Sequence, residues 1–266
     1  MDLELDGRVA IVTGGSRGIG KAIARVLAEE GADVALAARN RTAVEATARE
    51  LAQVTGRRIE GFACDTGVDA DVRTLVERVV ATHGRVDILV NSAAKPSGQS
   101  LPPTLAEVTT EEFFDHMNVK VMGYLRVARE VVPHMRAQGW GRIVNVSGLG
   151  ARQTGNLVGS MRNVAVMALT KNLADELAGS GITVNCVHPG LTRTEATPGV
   201  VAWQAKRTGR PEADIERGMA ERNLVRHLVD AREVAFVVAF LCSPKALAVN
   251  GSAIDTGGGS PGSIHY

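Results

Sequence analysis

Short apolar runs rich in β-branched residues alternate with amphipathic helical segments along almost the whole chain. The runs expected to form strands cover residues 9–12, 33–38, 59–63, 86–90, 142–147, 182–187 and 252–255. The helical segments between them cover residues 21–30, 42–54, 71–82, 110–137, 159–178 and 231–241. This alternation requires a parallel sheet whose two faces are covered by right-handed crossover helices. It predicts one domain over residues 1–266, a doubly wound α/β fold of about seven strands that binds ligands at the carboxyl ends of the strands.

The composition is that of a globular protein and argues against several classes of partner. Apolar residues make up 45% of the 266 residues and charged residues 22%, which is ordinary for a folded domain. The 30 basic and 29 acidic side chains leave a net charge of +1, so no overall field favours nucleic acid or an anionic membrane. The first residues lack the pattern of a signal peptide, and no apolar stretch is long enough to span a membrane, so a cytoplasmic location is expected. Cys64, Cys186 and Cys242 are widely spaced and odd in number, which favours buried free thiols over a disulfide or a metal site.

A glycine-rich turn, Thr-Gly-Gly-Ser-Arg-Gly-Ile-Gly at residues 13–20, lies between the first strand and the first helix. Glycine permits tight backbone angles there and lets the main chain approach a ligand closely. The free N–H groups and the positive dipole end of the following helix attract a pyrophosphate. The turn therefore predicts dinucleotide binding. The residues expected to bind the dinucleotide are Gly14, Ser16, Arg17, Gly18, Ile19 and Gly20.

The spacing Gly14-x-x-x-Gly18-x-Gly20 resembles the cofactor turn of the short-chain dehydrogenase/reductase family. Segments at 64–65, 87–94, 182–190 and 250–258 match that family's pattern in the same order, with Ser92 and Ala94 as departures from its Asn-Asn-Ala-Gly turn. The resemblance implies a Rossmann-like, NAD(P)(H)-binding oxidoreductase. It also implies the roles of several residues: Asp65 as acceptor for the adenine amino group, Asn91 and Ala93 beneath the cofactor, Asn118 in the active site, Pro189 and Gly190 in a turn, and Thr194 at the nicotinamide carboxamide.

The residues at the end of the second strand bear on the choice of cofactor. An acidic residue there would bind the adenosine ribose diol of NAD and repel a 2′-phosphate. The chain instead has Ala38, Arg39 and Asn40, and the guanidinium groups of Arg39 and Arg17 suit a phosphate. NADP(H) is therefore preferred over NAD(H), with two solvated surface arginines as the alternative interpretation.

The proton relay of the resembled family is missing. That family uses a serine, a tyrosine and a lysine, the last two spaced Tyr-x-x-x-Lys, and the lysine charge lowers the pKa of the tyrosine. Matching the segment 169–174 to the family puts Gly159 at the tyrosine position, Asn163 at the lysine position and Gly148 at the serine position. A shifted register offers only Met161 and Ala165, and the chain's two tyrosines, Tyr124 and Tyr266, are elsewhere.

Two classes of function follow from an intact cofactor pattern without the relay. In the first, the protein is an atypical oxidoreductase that moves a hydride between the cofactor and a carbonyl or alcohol. Its proton then comes from another group or from water, with Ser147, Ser160, Arg162 and Lys95 as candidates and Asn118 and Asn163 positioning water or ribose. In the second, the protein binds NADP(H) without turnover, as a sensor or a non-catalytic subunit. His188 is interpreted as a packed turn residue rather than a catalyst.

Two further expectations concern the substrate and the assembly. The segment 191–223, called the lid below, has Pro198, Gly199, Gly209 and Pro211 and only weak helical patterns. Its length predicts a cover over a small-molecule site, with Val200, Val201 and Trp203 as an apolar wall, or else a mobile insertion. The resemblance implies a homodimer or homotetramer through the helices at 110–137 and 159–178, where the apolar stripe Val166, Leu169, Leu173 and Leu177 shows a buried face. The substrate itself is not specified.

Overall fold

Seven parallel strands form one twisted sheet in the computed structural model, which describes residues 1–95 and 100–262. The strand order is β3-β2-β1-β4-β5-β6-β7. The strands are β1 Val9–Thr13, β2 Asp33–Ala38, β3 Ile59–Ala63, β4 Ile88–Asn91, β5 Gly141–Val146, β6 Ile182–His188 and β7 Ala253–Asp255. The predicted doubly wound α/β fold is confirmed. The order reverses between β1 and β4, which is where such sheets bind ligands.

Nine α-helices connect and cover these strands in the described part of the chain. They are α1 Gly18–Glu29, α2 Arg41–Thr55, α3 Asp69–His83, α4 Thr110–Met117, α5 Gly123–Gln138, α6 Leu157–Glu176, α7 Thr197–Thr208, α8 Glu212–Ala220 and α9 Ala231–Cys242. One continuous helix over residues 110–137 was predicted, and this is corrected: a π-helical turn, Asn118–Met122, separates α4 from α5. Short 3-10 turns cover Leu149–Ala151 and Pro244–Ala246.

Alternate residues of each central strand face opposite sides of the sheet, and both sides are buried. Val12, Leu36 and Val90 pack with α1, α2 and α9 on one face. Ile11 and Leu89 belong to the core on the other face, with α3, α5 and α6. This is why the strands read as continuous apolar runs. The α6 stripe of Val166, Leu169, Leu173 and Leu177 also packs within the chain.

The lid is more ordered than its sequence suggested. Instead of weak helical stretches, it contains α7 and α8, which enclose a small core of Val201, Ile215, Met219 and Leu228. Val201 is buried in that core, so the prediction that it would form part of a substrate wall is wrong. Trp203 instead stacks under the Arg207 guanidinium, 5.2 Å from its ring centroid.

Three structural observations bear on the other sequence expectations. Cys64, Cys186 and Cys242 are buried free thiols, as predicted. Among residues 1–95 and 100–262, no group of three metal-ligating side chains comes together. No helix in that part of the chain has the length and apolar character needed to cross a bilayer.

Candidate functional site

The turn after β1 is packed too tightly for side chains at two of its glycines. A Cβ on Gly20 would lie 2.4 Å from the Gly14 carbonyl oxygen, and a Cβ on Gly14 would lie 2.8 Å from the Ser92 carbonyl oxygen. Gly14 and Gly18 have φ angles of 67° and 59°, which favour glycine. Arg17, at the N-cap of α1, provides no side-chain cap. Because the first N–H groups of a helix need partners from outside it, this end of α1 suits an anion.

Thr13 ties this turn to the end of β4. Its Oγ1 accepts hydrogen bonds from the N–H groups of Ser92 and Ala93, at 3.1 and 3.3 Å. Asn91 donates from Nδ2 to Asn145 Oδ1 at 3.0 Å, whereas its own Oδ1 is buried with no hydrogen-bond partner among the described residues. An orphaned buried acceptor at the ligand-binding edge of the sheet fits a site that a bound molecule completes.

The end of β2 carries positive charge and no carboxylate. Arg39 directly follows the strand, and both Arg39 and Arg17 are exposed. Neither guanidinium group makes a hydrogen bond or an ion pair within the described residues. Asn40 caps α2 by accepting from the Ala43 N–H at 2.9 Å. Asp65, after β3, uses its Oδ1 to accept from the Gly67 N–H at 2.8 Å.

The start of the lid reaches the glycine turn. After β6, Pro189 accepts from the Leu149 N–H at 3.0 Å. The methyl group of Thr194 lies over Gly18, 3.8 Å from where a Cβ there would be. Glu195 Oε1 accepts from the Gly18 N–H at 2.7 Å, so a carboxylate occupies part of the helix end that was predicted to hold a phosphate. This contact could not be predicted from the sequence, since Glu195 is an acidic residue in an irregular segment.

Gly159 lies in the first turn of α6, and the side chain of Asn156 fills the space beside it. Asn156 is the N-cap of α6, and its Oδ1 accepts from the Gly159 N–H at 2.7 Å. A Cβ on Gly159 would lie 2.8 Å from Asn156 Cγ. Asn156 therefore lies where the side chain of a tyrosine at 159 would begin, a role that the sequence did not reveal.

Asn163 occupies space next to two further glycines. Its Nδ2 would lie 3.1 Å from a Cβ on Gly148 and 3.1 Å from a Cβ on Gly150. Ser147, which precedes Gly148, turns its hydroxyl to the backbone and donates to the Asn163 carbonyl oxygen at 3.0 Å. The predicted candidates Ser147 and Asn163 are therefore in contact, and the glycine at 148 leaves room for the amide of Asn163.

The nearest charged group to Asn163 is a lysine that sequence reasoning missed. Lys120, in the π-helical turn, donates from Nζ to Asn163 Oδ1 at 3.0 Å and to the Ser147 carbonyl oxygen at 2.8 Å. The residue is only 4% exposed. The available signal was a lone charge within the apolar run 119–124, since a lysine is rarely buried without a specific partner.

Burial and a neighbouring cation act together on this lysine. Desolvation, with a smaller contribution from the Arg162 guanidinium, lowers the pKa of Lys120 from 10.5 to about 7. Arg162 itself is near His116, with its Nη1 2.6 Å from His116 Nδ1. Burial lowers the pKa of His116, and the Arg162 charge lowers it further. Lys120, Arg162 and His116 therefore form a cluster of basic side chains in the interior. Within it, the charge on Lys120 is sensitive to pH near neutrality.

The other candidates are held in contacts of their own. Tyr124 donates its hydroxyl to the Val146 carbonyl oxygen at 3.0 Å, and burial raises the pKa of this phenol, while Tyr266 lies outside the described residues. Lys95 is ion-paired with Asp115. Asn118 donates from Nδ2 to the Gly67 carbonyl oxygen at 3.3 Å, away from Asn163. His188 is fully buried, as expected for a packed residue.

A cavity of about 480 Å³ opens beside the start of α6. Asn156, Leu157, Ser160 and Met161 form one wall, and Pro102 and Pro103 lie opposite. The volume is within the range of small-molecule sites. Asn156 therefore borders both the Gly159 position and this open cavity.

Known proteins resemble the chain over almost its full length. The family model described as enoyl-(acyl carrier protein) reductase matches residues 14–260. Dehydrogenase/reductase SDR family member 4 of Sus scrofa is 37% identical over 263 residues, covering 96% of this chain and 88% of that protein. A putative ketoacyl reductase of Streptomyces coelicolor is 35% identical over 263 residues, covering 96% of this chain and 97% of that protein.

The crystal structure of L-sorbose reductase from Gluconobacter frateurii, complexed with NADPH and L-sorbose, superposes on the structure with a TM-score of 0.93 at 32% identity. The superposition covers 99% of this chain and 100% of the reductase chain. On this evidence the chain belongs to the short-chain dehydrogenase/reductase family.

Proposed function

We propose that the protein is an NADP(H)-dependent oxidoreductase that interconverts a carbonyl and an alcohol of a small molecule. The observation that carries this proposal is the cofactor face, where the N-terminal end of α1, partly occupied by Glu195, the Thr13 contact to β4 and the orphaned Asn91 oxygen meet at one edge of the sheet. A nicotinamide cofactor, when bound, supplies the hydride. NADPH in the related L-sorbose reductase supports this assignment.

The phosphate preference rests on charge. Arg39 directly follows β2 and Arg17 lies in the glycine turn after β1, and neither guanidinium group has an ion-pair partner within residues 1–95 and 100–262. A 2′-phosphate would gain from both charges, whereas a ribose diol would find no carboxylate to bind. We expect NADPH to bind more tightly than NADH, and Arg39→Ala to reduce that difference. Tighter binding of NADH, measured by titration of cofactor fluorescence, would contradict the preference.

The proton source in this proposal is not a tyrosine. Gly159 has no side chain, and Tyr124 is buried in a hydrogen bond to the backbone. Asn163, Ser147 and His188 are polar groups next to Gly148, since His188 Nδ1 accepts from the Gly148 N–H at 3.4 Å. Asn118 is held by Gly67. Lys95, the other predicted candidate, is paired with Asp115. In the proposed site, water delivers the proton while Asn163 orients it, and Lys95→Ala is expected to change turnover less than Asn163→Ala.

The lid is proposed to close over the substrate side of the cofactor. It begins at the end of β6, contacts Gly18 through Glu195, and is stiffened by the core between α7 and α8. The cavity beside Asn156 supports a small organic substrate. We propose that residues 1–266 act as one domain in which the lid is the mobile element.

The alternative is a protein that binds NADP(H) without turnover, as a sensor or a non-catalytic subunit. The glycines at 148 and 159 favour it, because neither position offers a group that donates a proton. Calorimetry of NADPH binding, combined with nicotinamide absorbance across a panel of carbonyls and alcohols, separates the two. Oxidation of NADPH by any ketone or aldehyde supports the enzyme. Tight binding with no turnover for the whole panel supports the alternative.

A homodimer or homotetramer is also proposed. Phe114 on α4 and Leu157, Met161 and Val164 on α6 are large apolar side chains that are 46–63% exposed. Leu157, Met161 and Val164 lie at helical spacing on one face of α6, and a contiguous exposed apolar patch of this kind marks a site of interaction with another protein or a ligand. Light scattering is expected to give two or four times the mass of 28.0 kDa. A monomer mass would contradict this proposal.

A further inference from the structure

The ammonium group of Lys120 is fixed by two oxygen acceptors in the interior of the protein. Its Nζ donates to the Ser147 carbonyl oxygen and to Asn163 Oδ1. Within the described ranges no carboxylate pairs with it. A buried amine without a counter-ion keeps its charge only with the help of such fixed dipoles, and otherwise it loses its proton. The local structure that directs it inward is the π-helical turn Asn118–Met122, a feature often found at functional sites.

The contact with Lys120 also fixes the orientation of the Asn163 amide. An ammonium group only donates hydrogen bonds, so the Asn163 atom that faces it must be the oxygen. The amide nitrogen then points the other way, toward Gly148 and Gly150, within 3.1 Å of the place where a Cβ on either would lie. The Cβ position on Gly148 is where the side chain of the family's serine begins. Asn163 thus presents an N–H donor where the family presents a hydroxyl.

We propose that Lys120 is a positioning residue that supplies, through the Asn163 carboxamide, the positive charge that the family carries on a lysine at position 163. The inference rests on the proposed function, since it concerns the reaction at that site. The ammonium polarises the amide, so that its Nδ2–H becomes a stronger donor to the oxygen of a reacting carbonyl. Preorganised donors of this kind stabilise the negative charge that develops on that oxygen.

Lys120 does not itself deliver the proton. Both of its hydrogen bonds point into the protein, and a carboxamide does not release a proton near neutral pH. As the carbonyl carbon gains the hydride, the electron pair of the C–O π bond moves to the oxygen. A water molecule protonates that oxygen and leaves hydroxide, which solvent neutralises. The charge on Lys120 is unchanged through the step.

Because the charge on Lys120 is titratable, the proposed role depends on pH. The titratable groups that act on it are Arg162 on α6 and Cys186 on β6. Burial raises the pKa of the Cys186 thiol to about 11, so this thiol is neutral near pH 7. Arg162 stays charged and opposes protonation of Lys120. The active, protonated form of Lys120 is therefore lost as the pH rises past about 7.

The test compares the wild type with Lys120→Met, Lys120→Arg and a matched control, Lys171→Met, at an exposed lysine of α6 that forms an ion pair with Asp175. NADPH binding, the pH profile of carbonyl reduction and the melting temperature are measured for each. Lys120→Met should lower kcat by about 10- to 100-fold, with a flat pH profile and cofactor affinity within about threefold. Lys120→Arg should also be flat but faster than Lys120→Met. A Lys120→Met variant with the rate and pH profile of the wild type would overturn the proposal.

A second measurement needs no turnover and keeps the proposal separate from the proposed function. In protein labelled with [13C]lysine, the Lys120 signal is identified by its absence in Lys120→Met and is titrated by NMR. Asn163→Ala removes one acceptor of the ammonium and should lower the Lys120 pKa by about half a unit or more. If the wild type reduces no carbonyl, the proposed function fails. A Lys120 pKa that is unaltered by Asn163→Ala overturns the proposed coupling whatever the activity.

Discussion

The glycine turn and the start of α6 both depend on glycine, but for different reasons. In the turn, the close contacts are between backbone atoms, such as Gly20 against the Gly14 carbonyl oxygen. Around α6, the close contacts are instead with side chains: Asn163 of the helix lies against Gly148, which follows β5, and the N-cap Asn156 lies against Gly159. A backbone contact admits no residue but glycine, whereas a side-chain contact can change when both partners change. The backbone contacts of the turn therefore constrain its residues more strongly than the side-chain contacts around Gly148, Gly159 and Asn163, called the reaction region below, constrain theirs.

The largest effect is expected from breaking the backbone contact. Gly20→Ala places a Cβ 2.4 Å from the Gly14 carbonyl oxygen and should weaken NADPH binding by about 100-fold or more, equivalent to about 3 kcal/mol. Gly218→Ala in α8 is the matched control, because nothing lies within 4 Å of its Cβ. Calorimetry measures both. Equal affinities for the two variants would mean that the turn tolerates a side chain.

Introducing a lysine at position 163, where the resembled family carries one, should lower the free energy of unfolding. Asn163→Lys brings a second ammonium next to Lys120, whose Nζ is 3.0 Å from the present amide oxygen, and should cost about 3 kcal/mol of stability. Adding Lys120→Met removes one of the two charges and should recover most of that loss. Urea unfolding of both single variants and the double variant gives the coupling energy. Additive losses would show that the two positions do not interact.

Restoring the family tyrosine alone should disturb the cap of α6. Gly159→Tyr displaces the Asn156 side chain, which now accepts from the Gly159 N–H, and loss of such a cap costs about 0.5–2 kcal/mol. Asn156→Ala removes the same cap without adding a ring. We expect the double variant to lose little more than either single variant in thermal unfolding. A fully additive loss would place the two residues in separate interactions.

Stability should depend on pH through Lys120. Its pKa is about 7 in the folded protein against 10.5 for an unperturbed lysine. Between these values the unfolded chain binds more protons, so the free energy of unfolding rises with pH, by at most about 1.4 kcal/mol per pH unit for one group. Lys120→Met should remove this contribution, and the difference between the two proteins isolates it from other titrations. Parallel pH profiles in urea unfolding would exclude a depressed pKa at Lys120.

The smallest effect concerns the carboxylate at the glycine turn. Glu195→Gln keeps an oxygen acceptor for the Gly18 N–H but removes the negative charge that competes with a phosphate. NADPH affinity should rise by about two- to fivefold, since charges near a helix end contribute about 0.3–1 kcal/mol. Glu176→Gln, at the end of α6, is the control. Weaker binding of NADPH by Glu195→Gln would indicate that the carboxylate assists the cofactor.

The sheet and the position of the cofactor turn could be predicted from the sequence because buried parallel strands have an unmistakable pattern. The strands at 33–38 and 59–63 were predicted to the residue. The lid helices were not, because Pro198, Gly209 and Pro211 were interpreted as breaks. In the structure Pro198 lies in the first turn of α7, Gly209 ends it in a left-handed conformation, and Pro211 precedes α8, which are favourable positions at helix ends.

Less of the proposed reaction region could be predicted. The resemblance led to the expectation that positions 148, 159 and 163 depart from the family's serine, tyrosine and lysine, but it did not indicate which side chains lie around them. Asn156 acts through a cap, Lys120 through a contact between distant segments, and neither contact follows from local spacing. Periodicity over residues 110–137 indicated one helix because a single π-helical turn shifts the pattern by only one residue.

The location of the Lys120 charge depends on the number of residues in that π-helical turn as well as on the identity of residue 120. Losing one residue from Asn118–Met122 would let α4 and α5 merge into one regular helix and rotate Lys120 by about 100° around its axis. The ammonium would then leave Asn163 although no functional residue had been substituted. Two family members with the same lysine can therefore differ in whether it reaches this site, and only the local helical register distinguishes them.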